Sequence, residues 1–384
     1  MRQTAQLTRR RLLALCACDA AEQETLVRLD QAAAAFRQTA DDADWNLLLH
    51  EAEREGMAPL LHKHLVAVGW AGAPEPFRRA LQSLRLRSRH AWSLRSRAAA
   101  EIISACAAEG VDLLAVKGIA LAGAVYSEPG LRPMRDIDLL LRHEDAARAE
   151  ALLLSLGWQQ EAGHDIPPDY YHLPPLVKTM DGLPVTVELH RNLLPLHARC
   201  PRWPLEKSWP SSRPIAIGGA ACRTLSWEDT LRSVYLHGFQ APLSYEPFRL
   251  IHVADLVTLA AKFLDEIDWE QARAEEPVLS AALSRLHFLT PLPDRVISRL
   301  GLDISRKPAG IGLPYSGWPL RKLAKTRRSG LLRLALDTIW PPEWWLQVYH
   351  GHLSGLPYWR ARLLEHPRMV WRWFKDCRRA RLKK

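Results

Sequence analysis

The sequence predicts an α+β protein, a small mixed sheet with helices set between helical N- and C-terminal regions. Three observations carry this. Apolar residues recur at helical spacing over residues 1–110, switch to the two-residue period of strands between 111 and 195, and return to helical spacing from 225 onward. The chain has 384 residues, 48% of them apolar, which suits two or three domains with full cores. The expected division is a helical region at 1–110, an α/β core at 111–222, a helical domain packing on it at 223–300, and a linker with a basic, Trp-rich helical tail at 301–384.

The N-terminal stretch "RRRLLALCAC" (9–18) has the basic and small residues of a bacterial lipoprotein signal. Its apolar run is too short for such a signal, and an amphipathic pattern follows at once, so a first helix is expected. The stretch 43–65 reads as two helices broken at Gly56 and Pro59, and 76–109 as a long helix closed by Gly110. "DLLAV" (112–116) is a short buried strand, and "KGIALAGAVY" (117–126) a short helix opening at Gly118. A loop with Pro129, Gly130 and Pro133 leads to the strand "DIDLLL" (136–141), then an amphipathic helix at 143–158 ended by Gly157. Residues 176–180 and 183–190 flank Asp181-Gly182, a strong hairpin signal. Helices are expected again at 225–240, 246–264 and 268–276.

In the strand "DIDLLL", Asp136 and Asp138 stand two apart and so project from one face, roughly 6–7 Å from each other. Without a partner they would repel and lose hydration. In "PVTVELH" (184–190), Val185, Val187 and Leu189 share one face, and Thr186, Glu188 and His190 the other. If the hairpin strand lies beside the D-x-D strand, three acids converge. Three carboxylates make a hard-oxygen site suited to Mg²⁺ or Mn²⁺ rather than to zinc. The strand–Gly–helix turn at Gly118 offers the free N–H groups of a helix start, which hold phosphate, and Lys117 adds a positive charge beside them. Solvated acids on an edge strand and a solvated loop lysine are the plain alternatives.

The segments "VKGIALAGAVY", "GLRPMRDIDLLL" and "VELH", with "LSWEDTLRSVYLHG" and "RLIHVADL" downstream, resemble the nucleotidyltransferase superfamily of polymerase-beta-like fold. They look most like the bacterial group called the uncharacterised nucleotidyltransferase family. The likeness runs over residues 43–290, with weaker echoes at 340–349. It implies a minimal nucleotidyltransferase core and a metal-dependent transfer of a nucleotidyl group from an NTP to an acceptor, with release of pyrophosphate. By the resemblance, Asp136, Asp138 and Glu188 are the catalytic, metal-binding acids and Gly118 is the turn glycine facing the nucleotide phosphates. Lys117 and Arg132 join Gly118 as nucleotide-binding residues. Ile119 stands where a phosphate-binding Ser is common in the wider superfamily. The competing class is a non-catalytic nucleotide-binding or interaction protein that retains the fold. A phosphatase of the haloacid-dehalogenase type is disfavoured, because its first Asp ends an apolar strand, whereas Asp136 here follows the loop residues 132–135.

His190 shares the face of Glu188 and is expected to be a hydrogen-bonded structural histidine with the site within reach. His237 and Asp255 are expected to pair on successive helices. The six cysteines show no metal spacing and no dense framework, which suits reduced thiols in the cytoplasm. The net charge of +10 is uneven. Residues 319–384 hold 16 Lys/Arg against four acids, a balance of +12, leaving −2 for residues 1–318. The near-neutral body disfavours long nucleic acid as a partner and leaves a small-molecule or protein acceptor. The tail reads either as a solvated basic segment or as an interfacial one in peripheral contact with a membrane or an acidic partner. Most of its tryptophans are expected to be packing residues.

Overall fold

The computed structural model describes residues 2–161, 166, 170–195, 203–240, 249–311, 331–351, 355–372 and 375, with backbone alone at 2–6 and 333. The N-terminal region is helical, as the periodicity predicts, with α1 (Arg2–Leu15), α3 (Asp42–Glu55), α4 (Ala58–Ala67) and the long α5 (Glu75–Ala108) where the sequence places helices and α2 (Gln23–Thr39) in addition. Asp41 caps α3 by accepting from the Asp44 N–H at 2.9 Å. The lipoprotein-like stretch forms the end of α1 and the turn after it, with Leu12, Leu13, Cys16 and Cys18 buried in the main core.

The α/β part then runs β1 (Leu113–Val116), α6 (Lys117–Ala124), β2 (Asp136–Leu141), α7 (Ala146–Ser155), β3 (Gln159–Gln160), β4 (Leu176–Met180), β5 (Leu183–His190), α8 (Leu205–Ser208), β6 (Arg213–Ile217) and β7 (Ala220–Thr224). The strands form one mixed seven-stranded sheet in the order β3-β4-β5-β2-β1-β7-β6. Within it β2 pairs with β5 and β1 with β7 in parallel; β1 with β2 is antiparallel. The β6–β7 hairpin is absent from the sequence reading. Its signal is the alternation of Ile215 and Ile217 before Gly218-Gly219. It carries the sheet on to Thr224, past the expected boundary at 222.

The helical half comprises α9 (Trp227–Tyr235), α10 (Leu250–Lys262), α11 (Trp269–Glu275), α12 (Leu279–Leu286), α13 (Asp294–Leu300), α14 (Leu331–Ile339), α15 (Glu343–His350) and α16 (Gly355–Arg360). A wide π turn, Leu236–Gln240, extends α9, and another, Ala361–Glu365, carries α16 into a helix that reaches Arg372. Tyr235 donates to the Val348 carbonyl at 2.7 Å and Gln240 to the Tyr349 carbonyl at 2.8 Å, which pins α15 to the end of α9. Trp344 and Trp345 are core residues as expected, whereas Trp340, Trp359 and Trp371 are exposed.

Strand alternation divides the sheet between two cores. Ile137, Leu139 and Leu141 of β2 and Val185, Val187 and Leu189 of β5 pack with α5 and α7. Leu114, Val116 and Leu140 join the larger core shared with α9, α10, α12 and α15. Asp136 and Asp138 share the face of Leu140, and so look toward the helical half. Gly218 closes the β6–β7 turn at φ +56, and a Cβ there would lie 2.3 Å from the Ser96 carbonyl oxygen of α5. Gly218→Ala should therefore lower the unfolding free energy by about 2–3 kcal/mol. Gly219→Ala, at φ +87 with open space around it, should cost about 1 kcal/mol. Urea titration of the two variants checks the difference; equal losses would mean that α5 does not constrain the turn.

Candidate active site

Parallel pairing of β2 with β5 sets Asp136 opposite Thr186, Asp138 opposite Glu188 and Leu140 opposite His190. On the other side of β2, Val116 ends β1 directly across from Asp138. The next residue is Lys117, which opens α6 at φ +50. A lysine pays about 1 kcal/mol for that left-handed backbone. The turn brings its Nζ to 2.7 Å from Asp138 Oδ1 and 3.2 Å from His190 Nε2. His190 Nε2 lies 2.8 Å from the same Asp138 oxygen and 3.3 Å from Glu188 Oε2. Asp138 and His190 are buried and Glu188 is half-buried. Ligand atoms of Asp138, Glu188 and His190 all lie within 4.8 Å of one another, a cluster able to hold a metal ion. His190 is thus hydrogen-bonded, as the sequence predicts, and its partner is the D-x-D motif itself.

Charge is tightly balanced here. Burial alone would raise Asp138, but Lys117 and His190 overturn that and hold its carboxyl far below the usual range. Burial likewise works against Glu188, and the hydrogen bond from His190 brings it below its ordinary value. Asp136 lacks that help. Burial first, then the charges of Asp138 and Glu188, push it up to about 6. His237, on the π turn after α9, is pushed down to about 3 by burial and by the Lys117 charge.

The remaining residues singled out in the sequence fall beside this cluster with other tasks. The Arg132 guanidinium grips Asp255 of α10 through two bonds of 3.1 and 2.9 Å, and Tyr126 donates to the same carboxylate at 2.7 Å. Arg132, expected to face phosphate, is engaged by the helical half. Asp255 is occupied by these two partners, while the His237 ring packs edge-on against His252 at 5.2 Å. Gly118 gives α6 a close seat: a Cβ there would lie 3.0 Å from Met134 Cβ and 3.1 Å from Arg132 Nη1. Ile119 is fully buried in the core on the α5 side.

Sequence reasoning missed Tyr171 and His172. His172 bridges His190 through the backbone, and its Nε2 lies 3.8 Å from Glu188 Oε2. The Tyr171 ring stands 5.4 Å from the His190 ring, with Lys117 Nζ 5.7 Å from its centroid. The one available signal was a Tyr-Tyr-His run just before Pro174-Pro175, in a segment without periodicity.

The folded, metal-free chain keeps a proton on Asp136 up to about pH 6, whereas the unfolded chain loses it near pH 4. This group therefore favours folding below about pH 4, and that contribution is lost as pH rises through about 6. In chelator, Asp136→Asn should match the parent in urea titrations near pH 4 and exceed it by about 2 kcal/mol at neutral pH. A gap that stays constant with pH would contradict the crowding of three carboxylates.

Comparison with known proteins gives two kinds of similarity, to solved structures and to one family. Among solved structures, ANT(2'')-Ia in complex with adenylyl-2''-tobramycin matches with 16% identity and a TM-score of 0.33, over 49% of this chain and 98% of that one. An antigenic nucleotidyltransferase-like protein from Paracoccidioides brasiliensis matches with 16% identity and a TM-score of 0.32, over 53% of this chain and 97% of that one. A comparison with curated proteins gives no match. The model of the uncharacterised nucleotidyltransferase family covers residues 41–290, the whole sheet and carboxylate cluster included, and the chain belongs to that family of transferases.

Proposed function

We propose that this protein transfers a nucleotidyl group from an NTP to an acceptor with release of pyrophosphate, using Mg²⁺ or Mn²⁺ held by Asp136, Asp138 and Glu188. The observation that carries the reading is the in-register pairing of Asp138 with Glu188, with Asp136 on the same face, at the start of α6. Asp138 and Glu188 supply hard oxygen ligands within the cluster, and Asp136, on the same face but outside it, carries the excess negative charge they impose. When bound, the ion would offset that charge and polarise the phosphoryl oxygens.

The chain's own residues do the positioning. His190 holds Asp138 in one orientation by its Nε2 hydrogen bond. The first turn of α6, seated against the Arg132–Met134 loop by Gly118, offers free N–H groups to the phosphates. Lys117 leaves Asp138 for a phosphate oxygen when the nucleotide enters. Glu188, whose side chain is 19% exposed against 6% for Asp138, takes the proton of the acceptor hydroxyl. The acceptor oxygen then bonds to the α-phosphorus, and the bond from that phosphorus to the bridging oxygen breaks, so pyrophosphate departs with its electron pair. Arg132 serves as the tie between this loop and α10. In this reading the 111–222 unit carries the chemistry, the acceptor is a small molecule or a protein, and the compartment is the cytoplasm. The buried free thiols of Cys16, Cys18 and Cys106 fit a reducing compartment.

A second reading has one observation in its favour. The Lys117 ammonium already sits among the metal donors, as it would in a nucleotide-binding protein that kept the fold without the chemistry. Two experiments separate the readings. Isothermal titration with each NTP, with and without Mg²⁺, followed by an assay for pyrophosphate, should give metal-dependent binding and release. Asp136→Asn with Asp138→Asn should abolish the metal-dependent part in a chain that still folds; binding of Mg²⁺-NTP at parent strength would sink the metal-site reading.

Lys117→Met gives a sharper result. It should weaken NTP binding by about 1–3 kcal/mol, with little effect on the nucleoside, because a charge-assisted bond to phosphate is lost. The same variant should bind Mn²⁺ alone more tightly, since an internal competitor has gone. Equal effects on NTP and nucleoside would remove Lys117 from the phosphate site.

A further inference from the structure

In α14 the residues Leu332, Ala335, Leu336 and Ile339 recur at the spacing of one helix face. That face is turned to water. Leu332 is 73%, Leu336 57% and Ile339 70% exposed, whereas Leu334 and Thr338 are the buried positions. A second stripe runs along the helix that starts with α16. Leu356, Trp359, Leu363, Pro367 and Trp371 follow one another in steps of three or four, and all are exposed. Leu356 reaches 82% and Trp371 62%. The stripes meet at an apolar groove of about 340 Å³ lined by Thr338, Ile339, His366, Pro367, Val370 and Trp371. They therefore belong to one surface.

Cations border it. Arg360, Arg368, Arg372 and Lys375 fall beside the second stripe and are exposed. Arg360 is engaged by Glu365 at 3.3 Å, and Lys375 lies 5.4 Å from the Trp371 ring centroid. The sequence beyond, outside the described residues, adds Arg378, Arg379, Arg381, Lys383 and Lys384 against Asp376. A contiguous exposed apolar surface of this kind marks an interaction site. Apolar stripes carrying tryptophans and flanked by Lys and Arg are the pattern of helices lying in a lipid headgroup layer. Among the described residues no helix is long and apolar enough to cross a membrane, so contact is with the surface.

We propose that the face from α14 to Lys375 docks on an anionic membrane surface. The two stripes enter the boundary between headgroups and acyl chains, and Arg368, Arg372 and Lys375 meet the lipid phosphates. Each such cation adds to the attraction of an anionic surface, and salt weakens it within a Debye length of about 8–10 Å. The chemistry proposed above uses residues 117–190, so membrane binding and nucleotide binding are separable.

Co-sedimentation of the full chain with phosphatidylcholine vesicles, with and without about one third phosphatidylglycerol, tests this. The parent should bind the phosphatidylglycerol vesicles and scarcely the others. Arg368→Glu, Arg372→Glu and Lys375→Glu together, or raised salt, should lower the affinity about tenfold or more. Leu336→Gln with Leu363→Gln, which leaves the charge unchanged, should also lower it, and both variants should keep NTP binding and melting temperature. Failure of the parent to bind anionic vesicles, or binding indifferent to the Gln pair, would overturn the proposal. So would a parent dimer in sedimentation that the Gln pair converts to monomer, because the face would then cover a second copy.

Discussion

Two carboxylates facing each other across paired strands can stand in a folded protein only if positive charge stands with them. Asp138 and Glu188 are in that position because β2 and β5 run parallel in a register that allows no other placement. Much of the surrounding structure follows from supplying the charge. Lys117 takes an unfavourable backbone to reach Asp138, and His190 spends its Nε2 on the same oxygen. Gly118 seats the helix that carries Lys117 close against the loop leading into Asp136, where a Cβ would press on Met134 and Arg132. Asp136 forms no ion pair among the described residues, and a divalent ion would meet that shortfall.

A second constraint joins the sheet to the helical half. Arg132 belongs to the loop before β2 and Asp255 to α10, yet they form a two-bond pair in the interior with Tyr126 on the same carboxylate. Breaking a buried pair by removing one partner typically costs about 3–5 kcal/mol, because the other charge is left alone. The orientation of the loop that delivers Asp136 is therefore set partly by a helix far along the chain. The π turn after α9 adds His237 to the same surroundings, where Lys117 and Arg132 help to keep its ring neutral. The helical half is part of the site's electrostatics.

What was legible in the sequence was periodic. "DIDLLL" and "PVTVELH" declare their faces by alternation, and Asp181-Gly182 declares the hairpin, so the approach of Asp138 to Glu188 across neighbouring strands could be read without coordinates, whereas the third member of the cluster is His190. The destination of Lys117 could not, because period says nothing about a left-handed residue at a strand–helix junction. Nor could the partner of Arg132, since Asp255 lies over a hundred residues away and many arginines compete for it. Tyr171 and His172 sit in irregular chain, where no pattern marks them. In the tail, composition announced aromatic and basic character but not its division. Trp344 and Trp345 are buried in the main core, while Trp340, Trp359 and Trp371 face outward, a difference set by tertiary neighbours.

The left-handed backbone at Lys117 makes that position a test of which environment shaped the chain. Glycine would relieve the strain, about 1 kcal/mol, and would also delete the cation. Without a bound ion the deletion leaves Asp138 and Glu188 uncompensated, so lysine is the more stable residue. With an ion in place the charge is supplied from outside, and only the backbone cost of lysine remains. A library randomised at 117 and sorted for thermal resistance would thus retain lysine in chelator and release it in saturating Mn²⁺. The residue preferred for endurance would depend on the buffer, and an engineer selecting in metal would discard the side chain proposed to grip the nucleotide.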